Sequence, residues 1–293
     1  MKFWHPKKRR QNSKVKISEI AVLSAPRSGT NFFCECLADL PEVMGMHEIF
    51  NKDGVFGVDS DRKLSILNEV TGLNASSLRS EQLINFFRDR PIEAVEALSE
   101  TARQIDKKFV SYKIFPGHVS NPSLEEFLSA KHRYPIVLTR RRLDVYVSLQ
   151  KARISKSWRH SDTSDLKPRI ETHEFLEWSK ANDDWYRQIT DSLDRHGRSF
   201  RILSYSADVD VPKSELMRNL VTTLRFEGID VSAPSAPEAE RFNRQDLKTD
   251  PFSKIANGDE VHQGLAKQGV LSYALEEPLS GHPAKHGLVK SSQ

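Results

Sequence analysis

A short loop near the start of the chain has the residues to bind an anion. It spans residues 25–31, with the sequence APRSGTN, and links an apolar β-branched run to a helical pattern. A strand, a glycine-containing turn and a helix N-terminus direct backbone N–H groups and the positive end of the helix dipole at one spot. Arg27 adds a planar guanidinium that fits phosphate or sulfate oxygens. The alternative is an ordinary turn in which Ser28 or Thr30 caps the helix.

The loop lacks the metal-binding part of a nucleoside-triphosphate P-loop. That motif reads G-x-x-x-x-G-K-[ST], in which the Lys contacts the phosphates and the hydroxyl holds Mg²⁺. In the same register this chain has Ser24, Gly29, Thr30 and Asn31, so the lysine is missing and an amide replaces the hydroxyl. The loop therefore predicts a phosphate-containing ligand that is bound without Mg²⁺.

A second candidate anion site follows another predicted strand. Arg140 ends the apolar run over residues 134–140, and Ser148 lies eight residues later in the opening turns of a predicted helix. Ligands of open α/β sheets gather at the carboxyl ends of the strands, where Arg140 would lie. Alternatively, the three consecutive arginines at 140–142 form a diffuse polyanion patch, and Ser148 bonds to its own helix.

The elements that must position these motifs alternate between strands and helices. The apolar runs of strand length are residues 17–24, 109–115, 135–139 and 200–203. Amphipathic helical patterns lie between them, most clearly over residues 30–40 and 172–196. This alternation predicts an α/β fold of the P-loop-like, three-layer type, with a mostly parallel central sheet flanked by helices.

One domain is expected over residues 17–262, with a helical insertion at about 57–107. Residues 1–16 carry seven basic residues and no acidic one, which predicts a disordered basic leader capable of weak contact with anionic membranes. The rest of the chain is slightly acidic although the whole carries +4, so no specific nucleic-acid partner is predicted. Residues 263–293 lose the periodic pattern and are expected to form a loosely structured tail.

The composition narrows the class of protein. The chain has 293 residues, of which 38% are hydrophobic and 29% charged, as in globular proteins. No apolar run reaches the roughly 18 residues of a membrane-spanning helix. Cys34 and Cys36 cannot build a disulfide scaffold, which favours a reducing compartment. Since no membrane anchor is found in the sequence, the expected location is the cytoplasm. No metal site is predicted, because His282 and His286 lie in a Gly- and Pro-containing stretch and not in a credible helix.

Together the two anion motifs resemble those of the sulfotransferases that use 3′-phosphoadenosine 5′-phosphosulfate (PAPS). Residues 26–30 match that family's 5′-phosphosulfate loop, P-[KR]-S-G-T. Arg140, Asp144 and Ser148 reproduce the spacing of its 3′-phosphate motif, in which Asp and Ser follow the Arg by four and eight residues. The resemblance covers roughly residues 17–262 and implies PAPS as the donor, 3′,5′-adenosine bisphosphate (PAP) as the product, and no metal.

Within the family, the bacterial carbohydrate sulfotransferases of the trehalose and nodulation-factor kind are the more similar branch. Many small-molecule members carry a catalytic His in a K-T-H-L-P stretch, and Phe115 takes its place here, while Lys113 is retained. The carbohydrate members use a Glu in G-x-x-x-E-x-F, to which residues 45–50 are similar but one residue shorter. Trp158 lies in a stretch close to the branch's A-x-x-[ST]-x-x-W and is a candidate to stack on adenine or a sugar ring.

The resemblance implies a role for each candidate residue. Glu48 would remove the proton of the acceptor hydroxyl, if partial burial raises its pKa toward neutrality, and His47 is the alternative base. Arg27 would stabilise the leaving phosphate oxygen, and Lys113 the sulfuryl oxygens. The donor-binding residues would be Arg27, Ser28, Gly29, Thr30 and Asn31 for the 5′-phosphate, with Arg140 and Ser148 for the 3′-phosphate.

We therefore predict a PAPS-dependent sulfotransferase that acts on a hydroxyl of a carbohydrate or glycolipid. A P-loop kinase for a small metabolite is an alternative, although the Lys-[ST] pair is absent. A non-catalytic module that binds polyanions through residues 1–16 and 140–142 is another, although it leaves the glycine loop unexplained. These alternatives differ in the ligand that each predicts.

Overall fold

A computed structural model describes residues 18–156, 163, 165–235 and 250–290. The predicted basic leader at 1–16 and Trp158 lie outside the described residues. Within the described ranges, no helix combines the length and the apolar character needed to cross a membrane.

The centre of the fold is a six-stranded sheet in which every pairing is parallel. Its strands are β1 (Glu19–Ser24), β2 (Val43–Gly45), β3 (Phe109–Ile114), β4 (Arg133–Thr139), β5 (Arg201–Ser204) and β6 (Lys285–His286). Their order across the sheet is β2-β3-β1-β4-β5-β6. The predicted parallel sheet is confirmed, and each of the four predicted strands forms. Because all strands run the same way, their carboxyl ends meet at one edge.

Helices cover both faces of this sheet, so the three-layer α/β prediction is also confirmed. The helices are α1 (Thr30–Ala38), α2 (Asp61–Thr71), α3 (Glu81–Asp89), α4 (Pro91–Gln104), α5 (Asn121–Ser129), α6 (Arg142–Ser155), α7 (Thr172–Arg195), α8 (Lys213–Phe226), α9 (Gly258–Lys267) and α10 (Leu271–Leu275). Side chains alternate along β1 as a strand requires. Ile20 and Val22 join the core formed with α1 and α8, whereas Ala21 and Leu23 join the core formed with α4, α5 and α7.

Two regions outside the central strands, the predicted helical insertion and the predicted C-terminal tail, differ in how well the sequence pattern predicts their structure. The helical insertion expected at about 57–107 consists of α2, α3 and α4, whose apolar faces enter the core beside β3. The loosely structured tail expected at 263–293 differs from the structure. There α10 follows α9, and β6 pairs with β5. Up to residue 290, this segment packs through α9 and α10 against α6 and α7, and through β6 against the edge of the sheet.

A buried ion pair joins the amino ends of β1 and β4, opposite the edge where the strands end. Glu19 Oε2 accepts hydrogen bonds from Arg133 Nε at 2.5 Å and from the Tyr112 hydroxyl at 2.8 Å. His132 Nε2 lies 3.3 Å from Glu19 Oε1. Burial alone would raise the pKa of Glu19, but the His132 hydrogen bond and the Arg133 charge lower it to about 2. This pair therefore stabilises the fold in its ionised form.

Candidate active site

The anion loop is anchored at its start by two neighbouring elements. The Ser24 hydroxyl donates to the Leu138 carbonyl oxygen in β4 at 2.7 Å. The Ala25 N–H donates to the hydroxyl oxygen of Tyr186 on α7 at 2.9 Å, and that hydroxyl donates in turn to the Leu138 carbonyl at 2.9 Å. The loop thus leaves the sheet at a fixed position on its carboxyl edge.

The loop turns through two left-handed residues. Arg27 has a φ of 73°, which is uncommon for a residue other than glycine, and Gly29 has a φ of 82°. A Cβ atom at Gly29 would lie 2.3 Å from Cε2 of the Tyr205 ring, so no larger residue fits. Gly29 is the N-cap of α1, and no side chain caps this helix, which argues against an ordinary capped turn. Ser28, between Arg27 and Gly29, is fully buried.

The two predicted anion motifs, far apart in the sequence, meet at this loop. Arg27 Nε donates to Ser148 Oγ on α6 at 3.0 Å. Arg140 Nη1 donates to the backbone carbonyl oxygen of Arg27 at 3.0 Å. The Arg140 guanidinium carbon also lies 4.2 Å from the centre of the Tyr205 ring, the same ring that packs on Gly29. Arg27, Arg140 and Ser148 therefore form one cluster at the carboxyl ends of β1 and β4.

The charges of this cluster favour a bound anion. Burial lowers the pKa of Arg27, and the nearby positive charge of Arg140 lowers it further, whereas Glu48 acts in the opposite direction. Two guanidinium groups held close together repel one another, and this repulsion is relieved when an anion lies between them. Phosphate and sulfate, like carboxylates, have the geometry to bind guanidinium groups.

The three consecutive arginines do not form a common surface. Arg140 contacts the loop, whereas Arg141 Nε pairs with Asp144 Oδ2 at 2.7 Å and Arg142 Nε pairs with Asp183 Oδ1 at 3.0 Å. Asp144, the acidic residue of the 3′-phosphate motif, is buried and also pairs with Lys254 Nζ at 3.1 Å. Asp144 thus positions the start of α6. Because each of the three arginines has a different partner, the structure argues against a diffuse polyanion patch at 140–142.

Lys113 is buried at the end of β3 and links the loop to Glu48. Its Nζ lies 3.3 Å from Glu48 Oε1, donates to Asn31 Oδ1, and lies 3.5 Å from Thr30 Oγ1. The side chain is 1% exposed, so this is not a solvated strand-end lysine. The ammonium group of Lys113, from the neighbouring strand β3, therefore lies at the first turn of α1, although the loop itself has no lysine.

The pKa of the Glu48 carboxyl differs from the predicted one. Burial would raise the pKa of this carboxyl, but the charge of Lys113, a hydrogen bond from Asn51 and the proximity of His118 together lower it. Asn51 Nδ2 donates to Glu48 Oε2 at 2.8 Å. The prediction that burial would bring the pKa of Glu48 toward neutrality is therefore wrong, because Lys113, Asn51 and His118 together outweigh desolvation. Glu48 is ionised at neutral pH and ready to accept a proton. His47, the alternative base, is placed by its backbone, since its carbonyl oxygen accepts from the Lys113 N–H at 3.1 Å.

His118 belongs to this site, and sequence reasoning missed it. Residues 115–118 form a turn in which the His118 N–H donates to the Phe115 carbonyl oxygen at 3.1 Å. Gly117 has a φ of 80°, and Pro116 precedes it, as a type II turn requires. The turn places the imidazole where the charges of Glu48 and Lys113 both act on it. A Pro-Gly pair directly after a predicted strand is the signal that could have found it.

Glu277 was also missed, and it lies at the carboxyl ends of β4 and β5. Its Oε2 accepts from the Thr139 hydroxyl at 2.9 Å, and its Oε1 accepts from the hydroxyls of Ser204 at 2.8 Å and Ser206 at 3.2 Å. Thr139 directly precedes Arg140 in the sequence. No sequence signal indicated this contact, because Glu277 falls in the segment expected to be loosely structured.

Comparisons with protein-family models, with curated proteins and with solved structures found no match for the chain. In the ranges that the structure describes, no group of three or more His, Cys, Asp or Glu side chains is placed to hold a metal ion.

Proposed function

We propose that this chain is a PAPS-dependent sulfotransferase that transfers a sulfuryl group to a hydroxyl of a carbohydrate or glycolipid. One observation carries the proposal: Arg27, Arg140 and Ser148 meet at the anion loop, and Lys113 joins Glu48 to the first turn of the helix that follows it. The first group suits a donor with two separate phosphates. The second pairs a carboxylate base with a buried cation, as transfer to a hydroxyl requires.

The donor's two phosphates would divide the positive groups between them. Arg27 and the backbone N–H groups of residues 28–31 would hold the 5′-phosphate, which carries the sulfuryl group. Arg140 and Ser148 would hold the 3′-phosphate, the group that distinguishes PAPS from ATP. Asn31, at the position of the magnesium hydroxyl in a nucleotide P-loop, is instead bonded to Lys113. This bond favours a donor whose charge is neutralised by protein cations.

The reaction moves one sulfuryl group between two oxygens. The acceptor oxygen forms a bond to sulfur while the bond from sulfur to the 5′-phosphate oxygen breaks, and the acceptor proton passes to Glu48. Negative charge grows on the departing phosphate oxygen, where Arg27 would stabilise it, while Lys113 would stabilise the sulfuryl oxygens. PAP and a sulfate ester are the products. The residues of the chain supply positioning, charge and a base, which are the demands of an in-line transfer.

Replacing Arg140 with Ala is expected to weaken PAP binding by about 1.5–3 kcal/mol, which is roughly a 10- to 150-fold rise in Kd. The change removes a charge-assisted contact from the 3′-phosphate, together with the hydrogen bond from Arg140 to the Arg27 carbonyl oxygen. Calorimetric titration without Mg²⁺ measures it. Arg103→Ala, which removes an exposed arginine on α4, is the control and should bind PAP like the wild type. Wild-type affinity in Arg140→Ala would contradict the assignment of the 3′-phosphate.

The transferase activity itself is tested with PAPS that carries radioactive sulfur and a panel of sugars and glycolipids, in the presence of a chelator. We expect label to appear in at least one acceptor, and Arg140→Ala to lower the yield at limiting PAPS. Label transfer from the γ-phosphate of ATP that requires Mg²⁺, with none from PAPS, would favour the kinase alternative instead. Salt-sensitive binding to heparin that is lost when residues 1–16 are deleted, with neither activity, would favour the polyanion-binding module.

A further inference from the structure

We propose that His118 serves this site as a neutral hydrogen-bond donor that holds the reacting hydroxyl of the acceptor through Nε2–H, and that it is not the base. The inference rests on the proposed function, and it assigns a role to a residue that the motif spacing did not identify. It follows from the turn that carries His118, the hydrogen bond made by its ring, and the charged groups around it.

The turn fixes which ring nitrogen carries the proton. The backbone N–H of Phe115 donates to His118 Nδ1 at 3.3 Å, so this nitrogen presents a lone pair and is not protonated. In a neutral imidazole the other nitrogen, Nε2, then holds the hydrogen. The ring also packs beside the Phe115 side chain, with ring centres 5.1 Å apart. The ring is therefore held at both Nδ1 and its face, and the Nε2–H remains as its donor.

The surroundings of the ring keep it neutral. Burial lowers the pKa of His118, Glu48 raises it, and the buried ammonium of Lys113 lowers it again, with a net result of about 4. The Phe115 ring that packs on His118 lies 5.2 Å from Lys113 Nζ, so a cationic imidazole here would add a second buried cation beside Lys113, which already neutralises the Glu48 carboxylate. At neutral pH the ring is therefore uncharged, and its lone pair is engaged by the backbone.

These features assign different tasks to neighbouring groups. Glu48 is ionised and can accept the proton of the acceptor hydroxyl, whereas His118 has no free lone pair with which to do so. A hydroxyl oxygen has two lone pairs, of which one can accept a hydrogen bond from Nε2–H while the other attacks sulfur. As the proton leaves for Glu48, negative charge grows on that oxygen, and the His118 donor stabilises it. No electron or co-reactant beyond donor and acceptor is needed.

The protonation state can be measured without any activity. In ¹⁵N-labelled protein, two-bond nitrogen–proton spectra distinguish the ring tautomers, and His118→Gln identifies the signals of residue 118. We expect a neutral ring with the proton on Nε2 throughout the range from pH 8 to about pH 5, in line with the lowered pKa. A cationic ring at pH 6.5, or a proton on Nδ1, would overturn the proposal even if the chain proves to be a sulfotransferase.

Kinetics of two variants test the donor role. His118→Gln keeps an N–H donor, whereas His118→Leu keeps the bulk and loses the donor. With an identified acceptor, we expect His118→Leu to lower kcat about 100-fold, whereas His118→Gln should retain most of the wild-type kcat. In both variants the Kd of PAP should remain that of the wild type. The matched control is His173→Leu, which alters an exposed histidine on α7.

Two kinetic outcomes would overturn the proposal. Equal kcat in His118→Leu and wild type would mean that the ring only fills space. Loss of the acidic limb of the pH–kcat profile in His118→Gln would mean that His118 is the base. A failure of the wild type to bind PAP would instead contradict the proposed function, and the spectra would still determine the state of the ring.

Discussion

Replacing Glu48 with Gln is expected to lower kcat by about 10²- to 10⁴-fold, the contribution typical of a general base. The amide keeps the size of the side chain and a partner for Lys113, but it cannot accept the acceptor's proton. The Kd of PAP should change little, because the two phosphates are assigned to Arg27, Arg140 and Ser148. An assay of the sulfated product measures kcat, and calorimetric titration with PAP measures the Kd, so the two effects are determined separately.

The same residue sets the pH dependence of turnover. Since the pKa of Glu48 lies below its ordinary value of 4.5, the base is ionised throughout the neutral range. Activity should therefore be lost only in acid, as pH falls through the lowered pKa, and Glu48→Gln should abolish this limb. Glu81→Gln, an exposed glutamate on α3, is the control. Wild-type kcat in Glu48→Gln would contradict the assignment and make His47 the next candidate base.

Replacing Glu19 with Gln is expected to destabilise the fold by about 3–5 kcal/mol, because it leaves the buried Arg133 guanidinium without a counter-charge. The substitution changes charge and not volume, so a cavity does not contribute. Urea denaturation of the wild type and the variant at neutral pH measures the difference. Glu93→Gln is the control. It removes an ion pair with Arg90 in which both side chains are more than 60% exposed, and it should cost at most about 1 kcal/mol.

The acid stability of the protein should depend on the same carboxylate. The pKa of Glu19 is about 2 in the folded chain and 4.5 in the ordinary, unfolded environment. The unfolded chain therefore binds a proton first as pH falls. The stabilisation from Glu19 is complete above about pH 4.5 and is lost between about pH 4.5 and pH 2. In Glu19→Gln this part of the pH dependence should disappear, and an unchanged acid profile would contradict the role of the ion pair.

The central strands could be predicted from the sequence, whereas the edge strands could not. β1, β3 and β4 are buried on both faces and therefore read as continuous apolar runs. β2 has three residues and β6 has two, which is too short for any pattern to show. Both are ordered by pairing with neighbours that are distant in the sequence. Local composition does not contain that information.

The candidate site was predictable where it depends on local spacing. The loop with Arg27 and the eight-residue step from Arg140 to Ser148 are visible in the sequence, and the structure brings these residues together. The protonation of Glu48 was not predictable, because it depends on a lysine from another strand that lies 3.3 Å away. His118 was missed because it lies three residues beyond Phe115, the position of the family's catalytic His, and only the turn at residues 115–118 returns it to the site.

The central claim, that the loop holds a bisphosphate nucleotide without a metal, is tested most directly by a thermal-shift titration of the full chain. PAP without Mg²⁺ is compared with ATP, with and without Mg²⁺. At 100 times its Kd a ligand stabilises a protein by about 2.7 kcal/mol, which corresponds to roughly 5–10 °C at this size. We expect this shift with PAP, and its loss in Arg140→Ala. No shift with PAP, together with a shift that requires ATP and Mg²⁺, would contradict the claim and identify the loop as a triphosphate site.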